Sequence, residues 1–336
     1  MAYRIHLMET GEQFSAEPGE SVLDAATRAN VRMAHECTFG GCGTCRVKLL
    51  EGRVEYEEQP MALSEEEAAC GYALVCQARA CSDLEISVAS GPSFAEPRRI
   101  AARVAHIAPL CSDVTHLALE VDPDQWPDYR AGQYMNIVLP DGQTRSFSMA
   151  SDPRRGRLDF HVRRIAGGRF TDRWLAAAQA GAPLEIEAPL GTFCYHEQDY
   201  RPLVMVATGT GLAPIKAMLE SLLDDDECPP VSLYWGMRTE ADLYLRDAIA
   251  SWQGRLYEFD FVPVLSRPDA GWRGRSGYVQ DAVLQDFDDL SEHALYLCGS
   301  PTMIAQAKHR FAERGASLDH LYADSFTFQH PLAAAA

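Results

Sequence analysis

Four of the ten cysteines in this chain, Cys37, Cys42, Cys45 and Cys76, stand in the order C-x4-C-x2-C followed by one distant thiol. That spacing is one by which four thiolates hold a [2Fe–2S] cluster. The first three sit in the run Cys37-Thr38-Phe39-Gly40-Gly41-Cys42-Gly43-Thr44-Cys45. Its glycines permit positive φ and bring amide N–H groups close to anionic sulfur. Cys76, in Ala73-Leu74-Val75-Cys76-Gln77-Ala78, supplies the fourth ligand from a separate segment. A zinc site is the competing reading, but such sites usually repeat a C-x2-C pair and no second pair follows. Cys70, Cys81, Cys111, Cys194 and Cys228 are read as structural.

Two further groups of residues could bind nucleotides. Arg145-Ser146-Phe147-Ser148 closes a strand pattern that begins after Gly132-Gln133-Tyr134. Alone it is no more than a strand edge. Read with Gly167-Gly168-Arg169-Phe170-Thr171, it predicts an arginine on a flavin phosphate and Phe147-Ser148 against the isoalloxazine edge. The glycine loop opens an expected helix over Asp172–Ala178, whose first amides and positive dipole end suit a pyrophosphate. His161, Val162 and Arg163, on the strand between the two motifs, join the flavin candidates. The second group is Ala207-Thr208-Gly209-Thr210-Gly211-Leu212-Ala213-Pro214, after a strand and before a helix, where glycines admit a dinucleotide pyrophosphate. A later strand end, Tyr296-Leu297-Cys298-Gly299-Ser300-Pro301, supports it. Cys298 there either faces the nicotinamide or packs as a small hydrophobe. Arg238 could meet a 2′-phosphate, whereas Glu240 or Asp242 would repel one or bond a ribose hydroxyl.

The elements that must position these residues change in rhythm along the chain. Residues 1–90 read as a hairpin (Tyr3–Met8, Glu12–Ala16), a helix Val22–Ala29 with Ser21 as its N-cap, and later strands Arg46–Leu50 and Leu84–Val88. This fits a β-grasp domain with a metal loop at one end. Residues 91–97, with two prolines, read as a linker. Residues 98–199 carry short strands at Ile100–Ile107, Val114–Val121, Tyr134–Leu139, Arg145–Met149, Leu158–Ile165 and Leu184–Glu187, as in a small antiparallel barrel. Residues 200–330 alternate strands (Leu203–Ala207, Val231–Trp235, Tyr257–Val264, Ala294–Cys298) with helical stretches such as Ala213–Leu223, as in a doubly wound parallel α/β sheet. Residues 331–336 are a tail.

At 336 residues the chain is long for a single core, and its net charge of −18 argues against a nucleic-acid partner. Residues 1–90 hold fifteen Asp/Glu against seven Lys/Arg, read chiefly as a solvated face and secondarily as a docking surface for a basic protein. No long apolar run predicts a membrane span. With no export signal and many thiols, a reducing, cytoplasmic compartment is expected.

In this order the motifs resemble the one-protein reductase components of bacterial multicomponent oxygenases, of the benzoate dioxygenase reductase type. In these a plant-type ferredoxin is fused to a ferredoxin–NADP reductase-like module. The resemblance runs from about Tyr3 to Phe326. It implies that Arg145, Phe147 and Ser148 contact FAD and that Gly167 to Thr171 lie by its diphosphate. It further implies that Gly209–Pro214 and Cys298–Pro301 bind the nicotinamide cofactor and that Phe326 packs by the flavin. Ser148, Cys298 and Phe326 are then the residues nearest the reacting atoms. Phe147 replaces a commoner tyrosine, Thr38 a frequent arginine, and Ala188 a frequent glycine. The implied function is electron transfer from NADH (NADPH possible) to FAD, to the cluster, and on to a terminal oxygenase, a Rieske non-haem iron enzyme first. A diiron monooxygenase, a P450, a deoxysugar dehydratase or a redox-sensing role without turnover are the alternatives. A sodium-pumping reductase subunit shares the domain order but needs an N-terminal transmembrane helix. A monomer is expected.

Overall fold

The structure is a computed structural model that describes residues 2–88 and 95–326. Its contacts divide into two compact units, Met1–Pro92 with Ser300–His309 and Ala323–Ala336, and Ser93–Gly299 with Arg310–Tyr322. Residues 91–94 of the expected linker and the expected tail lie outside the described residues.

In the first unit, β1 (Tyr3–Leu7) pairs antiparallel with β2 (Gln13–Ala16), and helix α1 (Val22–Arg28) follows. Ser21 caps that helix, its hydroxyl accepting from the Asp24 amide at 3.0 Å, as its sequence predicts. Then come β3 (Arg46–Glu51), β4 (Val54–Glu55), α2 (Glu65–Ala69), β5 (Tyr72–Leu74), β6 (Arg79–Ala80) and β7 (Leu84–Ser87). The main sheet has the order β2-β1-β7-β3-β5, with β1 and β7 parallel, and β4 pairs with β6. The alternation of Ile5 and Leu7 with Arg4 and His6 buries one face of β1. Val22, Leu23, Ala25 and Ala26 bury the matching face of α1.

The second unit begins with six antiparallel strands. They are β8 (Arg98–Pro109), β9 (Val114–Val121), β10 (Tyr134–Val138), β11 (Thr144–Ser148), β12 (Leu158–Arg163) and β13 (Pro183–Leu190), in the order β11-β10-β13-β8-β9-β12. Leu117, Leu119, Met135, Ile137, Phe160 and Ile186 fill the barrel interior. The expected helix over Asp172–Ala178 starts earlier and differently. Arg169–Trp174 form a π-helical turn that runs into a short α3 (Leu175–Ala177). The Arg173 amide reaches back to the Gly168 carbonyl at 3.1 Å. Phe170, buried against Phe147 and stacked on Trp174 at 5.0 Å, fixes this wider turn.

The third sheet is built on β14 (Leu203–Thr208), β15 (Val231–Met237), β16 (Phe259–Leu265), β17 (Arg275–Ser276), β18 (Ala294–Gly299) and β19 (Leu321–Ser325), in the order β17-β16-β15-β14-β18-β19. Strands β15 and β18 both run parallel to β14. The connecting helices are α4 (Leu212–Leu222), α5 (Arg246–Ala250), α6 (Val279–Asp286) and α7 (Pro301–Ala312). Strand β14 is buried on both faces, as a parallel strand under helices must be, apart from its terminal Thr208. The sequence pattern misses β17 and β19, the first because it is two exposed residues and the second because Tyr322 and Asp324 break the apolar run. No helix among the described residues is long and apolar enough to cross a membrane.

Candidate functional site

The cluster loop is drawn together by its own backbone. Thr38, Gly40 and Gly43 have φ of 56°, 77° and 83°, so the chain curls around the sulfurs. At Thr38 a β-branched residue holds that left-handed conformation, and the Gln77 side-chain amide donates to its carbonyl at 2.7 Å. The amides of Gly41 and Cys42 point at Cys37 Sγ, at 3.2 and 3.3 Å. All ten cysteines are free. The four predicted ligands form two pairs. Cys45 Sγ lies 3.1 Å from Cys76 Sγ. Cys37 and Cys42 share a sulfur hydrogen bond that, with backbone amides, holds the Cys37 thiol down to about 6. The same bond and burial push Cys42 up, and Cys76 with burial does so to Cys45. Two thiol pairs with amide donors on sulfur fit a two-iron core held by four cysteines.

The flavin candidates gather along β11, β12 and the π-helical turn. Arg145, half-buried, donates from Nη1 to the Thr144 carbonyl at 2.6 Å and from Nη2 to Gln143 Oε1 at 3.2 Å. Ser146 Oγ donates to Asn136 Oδ1 at 2.8 Å, so its hydroxyl is committed to the barrel wall. Ser148 is buried at the end of β11. Gly167 has φ 75°, and a Cβ on Gly168 would come within 2.5 Å of Thr171 Oγ1. The π-helical turn leaves its first amides, Arg169 to Thr171, without intrahelical acceptors, while Arg169 itself pairs with Asp141 at 2.5 Å. Val162 and Phe170 turn their side chains into the core, so each offers a cofactor only its backbone.

His161 and Arg163 look the other way, toward the nucleotide-binding turn of the same unit. His161 Nδ1 lies 3.2 Å from the Tyr244 hydroxyl. Burial, with Lys216 adding to it, pushes the imidazole down to about 3 and keeps it neutral. Arg163 donates to Asp113 Oδ2 from Nε at 2.9 Å, and its Nη1 lies 3.4 Å from the place a Cβ on Gly209 would take. Trp235, fully buried, donates from Nε1 to the Gly209 carbonyl at 3.0 Å, and Tyr244 stands edge-on against it. Lys216 on α4 donates to the Ala150 carbonyl at 2.8 Å, just beyond β11. Trp235, Tyr244, Asp113 and Lys216 were not among the sequence candidates. No motif marks them, because their roles come from strands and loops that meet only on folding.

The turn itself is a cradle for a nucleotide. Gly209 has φ 58°, Gly209–Gly211 make a 3-10 turn, and α4 starts at once with Pro214 in its first turn. A Cβ on Gly211 would lie 2.4 Å from the Cys298 carbonyl oxygen; one on Gly299 would lie 2.4 Å from Thr208 Oγ1. The ends of β14 and β18 therefore touch through hydrogen alone. Strand order reverses between these two strands, which is where open α/β sheets bind ligands. The glycine contacts and the switch-point position fit a dinucleotide. Cys298 is fully buried at the rim of this crevice. Arg238 is exposed at the end of β15. Glu240 pairs with Arg246 at 2.6 Å, and Asp242 caps Thr239, accepting from its amide at 2.9 Å. Ser300 and Pro301 open α7, and Phe326, half-buried after β19, belongs to the first unit.

Comparison with known proteins finds three domains along the chain. Residues 5–81 match the 2Fe-2S iron-sulfur cluster binding domain. Residues 101–195 match the oxidoreductase FAD-binding domain, and residues 205–309 the oxidoreductase NAD-binding domain. The chain is 34% identical to a CDP-6-deoxy-L-threo-D-glycero-4-hexulose-3-dehydrase reductase of Yersinia pestis, over 97% of this chain and 99% of that protein. It is 33% identical to the reductase component 1 of a Comamonas terephthalate 1,2-dioxygenase, over 97% and 98%. The crystal structure of the Amycolatopsis cytochrome P450 reductase GcoB superposes with a TM-score of 0.72 at 33% identity, covering 96% of this chain and 98% of that one. Because the likeness extends through all three cofactor modules and almost the full length of each relative, the chain belongs to the family of flavin- and NAD-binding reductases that carry a plant-type [2Fe–2S] ferredoxin domain.

Proposed function

We propose that this protein takes electrons from NADH and delivers them, through FAD and a [2Fe–2S] cluster, to the terminal oxygenase of an aromatic-compound-degrading system, a Rieske-type enzyme in the leading case. The observation that carries the reading is the presence in one chain of four paired thiols and a glycine cradle at a sheet switch point. When bound, the flavin accepts a hydride's two electrons from the nicotinamide and yields them singly to a one-electron cluster. The chain's own residues hold and orient. Arg145 and the Arg169–Thr171 amides take the flavin phosphates, and Ser148 faces its reacting edge. Thr208–Pro214 and Gly299–Pro301 take the nicotinamide cofactor, with Cys298 at its ring. The resemblance to oxygenase reductases favours NADH, with NADPH as the alternative. The working domains are 1–90, 98–199 and 200–330, joined by the linker 91–97. Ten free thiols favour a cytoplasmic setting, and a monomer is the expected state.

The Yersinia relative, 34% identical over nearly the whole chain, supports a second reading, in which the electron acceptor is a deoxysugar dehydrase. Anaerobic titration with NADH, then NADPH, tests the shared path: flavin and iron–sulfur bands both bleach, NADH acting at the lower concentration. Flavin bleaching with an unchanged cluster band refutes the transfer to the ferredoxin domain. Reoxidation of the reduced cluster by a purified Rieske oxygenase, and not by a deoxysugar dehydrase, separates the two acceptors.

A further inference from the structure

Within the first unit, Glu67 of α2 is completely buried and so is the greater part of Lys308, which lies in the Ser300–His309 segment of the same unit. Lys308 Nζ donates to Glu67 Oε1 at 2.9 Å and to the Ala62 carbonyl at 3.4 Å. Arg46, the residue after Cys45, donates to the same Oε1 from Nη1 at 2.6 Å, and its guanidinium covers the Tyr72 ring at 4.4 Å. The other oxygen, Oε2, accepts from the Ser64 amide at 3.0 Å in a capping box. Burial opposes a charge on Glu67, yet Lys308 and Arg46 hold its carboxyl below the usual range. Met303, Ile304 and Ala307 are buried with Lys308, at helical spacing on one face of α7.

What this ion group supports is the strap Gln59–Ser64, which lies directly on the cluster loop. The Ala62 amide donates to the Gly40 carbonyl at 2.9 Å, and a Cβ on Gly40 would meet Pro60 Cβ at 2.8 Å. Inside the strap, the Leu63 amide reaches the Pro60 carbonyl at 3.2 Å, and the Gln59 side-chain amide reaches the Leu63 carbonyl at 3.3 Å. Ala62 is thus held from both sides, by Gly40 through its amide and by Lys308 through its carbonyl. Lys308 and Arg46 also bring positive charge onto this carboxylate, beside the backbone that carries the four thiolates. Such a charge favours the reduced, more negative cluster.

We propose that Lys308 is a positioning residue for the iron–sulfur cluster: through Glu67 and Ala62 it clamps the Gln59–Ser64 strap onto the Cys37–Cys45 loop, and with Arg46 it supplies the positive charge that tunes the cluster. The inference rests on the cluster assignment but not on the identity of the acceptor.

The test uses the full-length holoprotein and compares Lys308→Met, Lys308→Arg and His309→Gln, the last removing an exposed neighbour's pairing with Glu66. The first readout is iron release to a ferrous chelator, followed by loss of the iron–sulfur absorption. The second is the midpoint of cluster reduction in a dye titration. Lys308→Met is expected to release iron at least tenfold faster and to reduce at a more negative potential. Lys308→Arg is expected to restore the potential, and His309→Gln to stay within twofold of the wild type in release. Flavin content and NADH bleaching of the flavin stay unchanged throughout. Wild-type release and potential in Lys308→Met overturn the proposal. If that variant does not accumulate, Lys308→Gln, which keeps a donor without the charge, must show the same negative shift, and an unshifted potential there overturns it equally. A wild-type protein that binds no iron overturns this inference together with the cluster reading; one that binds iron and holds it equally well without Lys308 overturns this inference alone.

Discussion

Replacing Gly211 by alanine tests the cradle most sharply. Gly211 lies at φ −59° and ψ −13°, where alanine is the better residue by up to about 1 kcal/mol. Local backbone preference therefore predicts a stabilised helix start. Tertiary contact predicts the opposite. The added Cβ would sit 2.4 Å from the Cys298 carbonyl oxygen, 2.6 Å from its carbon and 2.8 Å from Gly299 Cα. These are backbone atoms of a buried parallel strand, so no side chain can rotate away, and the gap must open by roughly 1 Å to reach ordinary contact. Overpacking of this kind costs about 1–3 kcal/mol. The part spent on moving the Gly209–Gly211 turn off β18 is spent in the nucleotide crevice, where about 2 kcal/mol corresponds to roughly thirtyfold in rate or affinity. Anaerobic stopped-flow reduction of the flavin by NADH reads it directly, with flavin content as the check on the barrel. Gly271→Ala is the control, since nothing lies within 4 Å of its Cβ position. Flavin reduction by Gly211→Ala within twofold of the wild type, at the same NADH concentration for half-saturation, would refute the cradle.

Cys42→Ser is expected to leave NADH reduction of the flavin intact and to abolish cluster-dependent reduction of cytochrome c; full cytochrome c activity without iron contradicts that route. Gly40→Ala must move Pro60 off the loop while straining a φ of 77°, so iron content should fall to a small fraction of wild type, and full iron loading would show that the strap yields freely. His161 is neutral in the fold with its pKa near 3, whereas the unfolded chain takes up that proton near 6.5. Its contribution is complete above about pH 6.5 and is lost as pH falls toward 3, amounting to about 2 kcal/mol by pH 5. Urea midpoints at pH 7 and pH 5 should therefore differ less in His161→Gln than in the wild type; equal drops in both proteins would exclude His161 as the source.

The spacing of Cys37, Cys42, Cys45 and Cys76, the Gly209–Gly211 turn after an apolar strand, and the change from short antiparallel strands to alternating strands and helices were all legible in the sequence. Each is a local pattern whose physics is local too: thiolate reach, glycine φ and side-chain period. The start of the turn at Arg169 was not, because a π-helical turn is chosen by the packing of Phe170 between Phe147 and Trp174 and not by helix propensity. The neutral state of His161, the hold of Trp235 on Gly209 and the commitment of Arg163 to Asp113 depend on groups that meet only when β9, β12, β14 and β15 assemble. The pairing of Lys308 with Glu67 spans 241 residues. In the sequence, Lys308 reads as one more charge on a helix and Glu67 as one more acid in Glu65-Glu66-Glu67. Only burial, which denies each of them water, turns that pair into a requirement of the fold.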